Sequence, residues 1–109
     1  MRTFDGFWPA LITPYTPDDQ INLPVLLSLV DYHLAKGVSG FYLCGSTGEG
    51  LFLRTDERIL IVDEVIKRVQ NRVPIIVQVG ASSINEATQL AAHAQSAGAA
   101  AISSIIPPI

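Results

Sequence analysis

Ser46 and Thr47 stand side by side in the run Gly45-Ser46-Thr47-Gly48-Glu49. Two hydroxyls bounded by glycines suit the binding of an anion. Glycine lets backbone approach a ligand closely, and hydroxyls beside successive N–H groups form nests that take carboxylate or phosphate. The run follows a short apolar stretch, Gly40-Phe41-Tyr42-Leu43-Cys44, and precedes a helix-forming one. In α/β proteins ligands gather beyond the carboxyl ends of strands, which is where this order places the loop. The same hydroxyls would also serve as a helix cap or turn, and the residues alone leave both readings open. Glu49 has the chemistry of an acid or base, but a carboxylate bracing its own loop through backbone hydrogen bonds explains it as well.

Other chemistry-bearing residues point less clearly to a site. The glycines at 45, 48 and 50 lack the spacing of a phosphate loop, and no Gly-Lys-Ser or Gly-Lys-Thr follows. Cys44 abuts the loop without a visible base, so it reads as a small buried residue. His33 and His93 fall on separate helices with no carboxylate or cysteine at ligand spacing, and no metal or cofactor is implied. Tyr15 and Tyr42 lie near strand ends, as packing or rim residues within reach of the site. Of Ser103 and Ser104 one should face inward, where it needs a hydrogen-bond partner.

The elements that must position these residues alternate. Strands are expected over residues 7–13, 40–44, 74–79 and 100–106. Helices are expected over about 23–36, capped by Asn22 with Pro24 in the first turn and Gly37 beyond, and 56–71, capped by Thr55. A third helix opens at the Ser83/Glu86 capping box and ends near Gly98. Apolar stripes recur at helical spacing: Leu26, Leu27, Val30 and Leu34; Ile59, Val62, Val65, Ile66 and Val69; Ala87, Leu90, Ala91 and Ala94. The βαβαβαβ order implies parallel strands joined by right-handed crossovers. It fits an open doubly wound sheet or part of a β/α barrel.

The chain has 109 residues, a net charge of −3 and 49% hydrophobic residues. This supports one modest core, but a complete (β/α)8 barrel needs roughly 200 residues or more. Seven Lys and Arg residues without a basic run argue against a nucleic-acid surface. A single cysteine fits a reducing compartment. No apolar run reaches membrane-span length, and the N-terminus has no signal-like apolar core, so a cytoplasmic location is expected.

Four segments together resemble the N-terminal part of the dihydrodipicolinate synthase and N-acetylneuraminate lyase family: Pro9-Ala10-Leu11-Ile12-Thr13-Pro14, Gly45-Ser46-Thr47-Gly48-Glu49, Val79-Gly80-Ala81, and Ile102-Ser103-Ser104 leading into Pro107-Pro108. The resemblance implies a (β/α)8 barrel of which residues 1–109 form the N-terminal half, about four strands and three helices. It implies a class I aldolase, lyase or synthase in which a lysine forms a Schiff base with pyruvate or a related 2-oxo acid. Ser46 and Thr47 would bind the carboxylate of that acid, and the Ser46 hydroxyl would join a proton relay. The family's Schiff-base lysine and relay tyrosines would lie beyond Ile109. Lys36 and Lys67, the only lysines here, fall on helices. The resemblance therefore implies a fragment, inactive alone, of a protein that is a homo-oligomer when full length. Ser46 and the run Val77-Gln78-Val79-Gly80 lean toward the N-acetylneuraminate lyase branch. The alternative from another class is a small doubly wound module that binds an anion without catalysis.

Overall fold

The computed structural model describes residues 6–45, 53–81 and 83–104. Three helices and three strands alternate: α1 (Leu23–Ala35), β1 (Phe41–Leu43), α2 (Thr55–Val69), β2 (Ile75–Gln78), α3 (Ile84–Ala97) and β3 (Ala101–Ser103).

The helix ends follow local chemistry. The Asn22 side chain accepts from the Val25 amide at 3.3 Å and starts α1. Ser83 accepts from the Glu86 amide at 3.1 Å and starts α3. Gly98, at φ 104°, ends α3 in the left-handed conformation that glycine takes without strain. The start of α2 corrects the expected cap. Thr55 is already helical, and Arg54 is the cap residue, its amide donating to Glu57 Oε1 at 2.8 Å. The Glu57 carboxylate thus satisfies the cap residue's own amide, whereas a Thr55 cap would have accepted from the amide two or three residues further on.

All strand pairs are parallel, in the order β1-β2-β3. That order decides between the two architectures. Right-handed crossovers between sequential neighbours put every helix on the same face of the sheet, whereas a doubly wound sheet reverses its order and covers both faces. Burial agrees. Phe41, Leu43, Ile75 and Val77 point to the helices and are buried, while Tyr42, Ile76, Ala101 and Ser103 on the opposite face are half-buried; the exceptions are Gln78, buried on that opposite face, and Ile102 of the edge strand, half-exposed on the helix face. The sheet is a sector of a β/α barrel, with one face toward the helices and one toward the barrel interior.

The expected first strand is reduced to an extended segment with one parallel bridge, Ala10 to Tyr42. Tyr42 N donates to Pro9 O and Leu11 N to Tyr42 O, both at 3.2 Å. Pro9, whose backbone faces β1, has no amide proton to donate, which removes one rung of the ladder. The expected fourth strand is β3, shorter than predicted; residues 105–109 lie outside the described residues.

The core is built from Leu26 and Val30 of α1, Ile61, Val62, Val65 and Val69 of α2, and Leu90 and Ala94 of α3, packed on the strands. Leu27, Leu34, Ile59, Ile66, Ala87 and Ala91 flank these stripes half-buried. The buried face of α2 is rotated from the expected one, so that Ile61 and Arg58 lie on it. Arg68 grips Asp31 through two bonds, Nε to Oδ1 at 2.9 Å and Nη2 to Oδ2 at 2.6 Å, tying α2 to α1. His93 Nε2 meets Asp63 Oδ1 at 2.8 Å and ties α3 to α2.

Candidate functional site

The carboxyl end of β1 is followed in sequence by the hydroxyl-rich run 45–49. Cys44 and Gly45 are buried there. Ser46, Thr47 and Glu49 lie outside the described residues. Cys44 sits at φ 60°, the left-handed region. A non-glycine residue there costs on the order of 1–3 kcal/mol and persists only where its surroundings hold it. Gly45 packs against the Tyr42 ring so closely that an added Cβ would lie 2.5 Å from Cε1.

Two residues to which the sequence assigned no role in the site organise this end of the sheet. Arg58, in the first turn of α2, is 1% exposed. Its Nη1 donates to Gly80 O at 2.9 Å and its Nη2 to Gln78 O at 2.7 Å. Its Nε finds no partner among the described residues. Gln78, also 1% exposed, donates from Nε2 to Cys44 O at 3.2 Å, and its Oε1 accepts from the Gly80 amide. Both were detectable. Arg58 occupies an i, i+4, i+7 register with Val62 and Val65, and Gln78 interrupts the apolar run from Ile75 to Val79.

Burial pushes the Cys44 thiol from 9.0 up to about 11, against the pull of the neighbouring Arg58 guanidinium. The thiol is neutral at pH 7 and is a poor nucleophile there, in keeping with its reading as a small buried residue. On the interior face, Tyr42 Oη and Ser103 Oγ are 2.5 Å apart, spanning β2. Ser103 is thus the serine of its pair that finds a partner inside. Tyr15 bridges Ile21 at the molecule's edge. Lys36 caps the end of α1 and Lys67 lies in the last turn of α2, so neither reaches the strand ends where the loop begins. Among the described residues, no group of three His, Cys, Asp or Glu side chains is placed to hold a metal ion.

This parallel sheet sector has close counterparts among known proteins. The sequence profile of the Dihydrodipicolinate synthetase family matches residues 3–108. The chain belongs to this family. It is 34% identical over 98% of its length to a 4-hydroxy-tetrahydrodipicolinate synthase of Ralstonia nicotianae, of which it covers 36%. It is 38% identical over 94% of its length to the enzyme of that name from Neisseria gonorrhoeae, of which it covers 35%. Among solved structures it superposes on N-acetylneuraminate lyase from Mycoplasma synoviae with a TM-score of 0.93, at 34% identity, over 97% of this chain and 37% of that one. It also superposes on YagE of E. coli K12, a family member solved in complex with pyruvate, with a TM-score of 0.88, at 36% identity, over 93% of this chain and 34% of that one. The family fold is the (β/α)8 barrel, and the described strands and helices are a contiguous sector of it. The chain spans about a third of the length of these relatives. The members named for an activity are synthases and a lyase.

Proposed function

We propose that residues 1–109 form the N-terminal part of a single barrel domain in a Schiff-base aldolase, lyase or synthase that acts on pyruvate or a related 2-oxo acid. In this reading the chain supplies the carboxylate-binding loop. Ser46 and Thr47 hold the 2-oxo acid's carboxylate, and the Ser46 hydroxyl also relays a proton. The lysine and the relay tyrosines come from sequence beyond residue 109. The observation that carries the proposal is the family match over residues 3–108, with Gly45–Glu49 following the carboxyl end of β1.

The chemistry is coherent. A carboxylate beside a reacting carbonyl must be oriented by fixed donors. Hydroxyls and backbone amides orient it without a cation. They therefore leave the electrostatics of a nearby lysine undisturbed, and a neutral lysine is the better nucleophile. The site needs no metal or organic cofactor in this scheme. The complete enzyme would be a cytoplasmic homo-oligomer.

The test is a chimera in which residues 1–109 replace the matching segment of the Neisseria gonorrhoeae synthase. Incubation with pyruvate and borohydride should trap a covalent adduct on a lysine of the donor portion, visible by intact mass. The 109-residue chain alone should trap none. A folded chimera that forms no adduct, or specific labelling of Lys36 or Lys67, would overturn the proposal.

A further inference from the structure

Arg58 is a buried cation in a position that helical spacing assigns to the core. A leucine there would fill the stripe without desolvating a charge. What an apolar residue could not do is hold two strand-end carbonyls at once, and a guanidinium fork is built for that. Arg58 reaches Gly80 O and Gln78 O together. Gln78 then carries the connection across to β1 through Cys44 O. The Gly80 amide on Gln78 Oε1 sets which end of that amide faces Cys44. The chain of bonds therefore runs from α2 through the end of β2 to the left-handed residue immediately before Gly45.

We propose that Arg58 and Gln78 are positioning residues: they lock the carboxyl ends of β1 and β2 together, hold Cys44 in its left-handed conformation, and so set the geometry from which the chain enters the Gly45–Glu49 loop. The catalytic consequence rests on the carboxylate-binding reading of that loop. The mechanical consequence does not, because it concerns the described backbone alone. Neither side chain need touch substrate. Removing either one should free the Cys44 peptide and blur the site that follows it.

Two readouts on the barrel chimera separate these consequences, and wild type, Arg58→Met, Arg58→Lys and Gln78→Met are compared in both. The first is peptide-resolved alkylation of Cys44 at low urea. Local release should raise its rate about tenfold or more in Arg58→Met and Gln78→Met with little urea dependence, the signature of a local opening. Leu26→Ala, a core change remote from the network, supplies the control for simple destabilisation and should expose Cys44 only through urea-dependent unfolding. The second readout is steady-state kinetics with pyruvate. A mispositioned carboxylate loop should raise the pyruvate KM about tenfold with a smaller change in kcat, and Arg58→Lys should recover part of the loss. Wild-type alkylation rates in Arg58→Met and Gln78→Met, or a labelling pattern matching Leu26→Ala, would overturn the positioning role. If the unsubstituted chimera is folded but traps no pyruvate, the functional proposal fails while the alkylation result still decides the positioning role.

Discussion

Thr47 is the residue on which the proposed carboxylate site is most directly testable. In the barrel chimera, Thr47→Val keeps the side-chain shape and removes one hydroxyl. Loss of a hydrogen bond to a charged group costs roughly 1.5–3 kcal/mol, so pyruvate affinity should fall on the order of ten- to a hundredfold. Unchanged binding by calorimetry would remove Thr47 from the site. Cys44 gives a second prediction of a different kind. Its thiol is held at about 11 by burial, against 9.0 when unperturbed. The folded state keeps its proton where the unfolded chain loses it. Stability from this group is therefore complete below pH 9, declines between 9 and 11, and is flat above. The full decline is roughly 3 kcal/mol. Urea denaturation of the chimera with and without Cys44→Ala isolates it, since other groups titrating in that range cancel in the difference. An identical pH slope in both proteins would contradict the buried, uncharged thiol. The burial of Cys44 was legible from its apolar strand, but its left-handed backbone was not, because no local residue type demands it. It is imposed by Gln78, 34 positions away.

The helices were legible because their punctuation is local. Asn22 and Ser83 cap as their residue types suggest, and Gly98 stops α3 as glycine does. Ser83→Ala should accordingly cost about 1 kcal/mol, the usual worth of an N-cap, read as a shift in the urea midpoint. A shift no larger than that of a substitution at exposed Asn85 would show that α3 is set by packing instead. The buried faces were less legible. Ile59 and Ile66 share helical spacing with Val62 and Val69, yet Ile61 and Arg58 are the more buried residues. An apolar stripe on a helix has a width but no marked centre, and the sheet beneath fixes the rotation. The segment over 7–13 failed as a strand for a reason present in the sequence. Pro9 denies it a donor toward β1, so a stretch that reads as apolar and extended keeps only one bridge. The loop chemistry at the end of β1 was visible as residue types, whereas the clamp that holds its entrance depends on tertiary contacts between α2, β1 and β2.

At the scale of the molecule, the sheet is covered by helices over β1 and β2, and its interior face and its β3 edge are left open. The helices bury Phe41, Leu43, Ile75 and Val77, whereas Tyr42, Ile76, Ala101 and Ser103 on the interior face stay half-buried beside buried Gln78, and Ile102 of the edge strand β3, on the helix face in register with Val77, is 50% exposed. Among the described residues β3 pairs only with β2, leaving its other edge with ladder groups that invite association. In a closed barrel of eight strands, neighbouring strands and interior side chains would occupy both surfaces. The 109-residue chain studied alone should therefore self-associate, or keep its helices while its tertiary packing loosens. Analytical ultracentrifugation should show species larger than a monomer, and thermal unfolding should be broad, with near-ultraviolet dichroism weak relative to far-ultraviolet. In the chimera the same residues should melt sharply, because the donor strands cover the interior face and continue the sheet beyond β3. A monodisperse monomer of the isolated chain with a cooperative melt would show that these surfaces need no cover, and that the sector is a self-sufficient folding unit within the barrel.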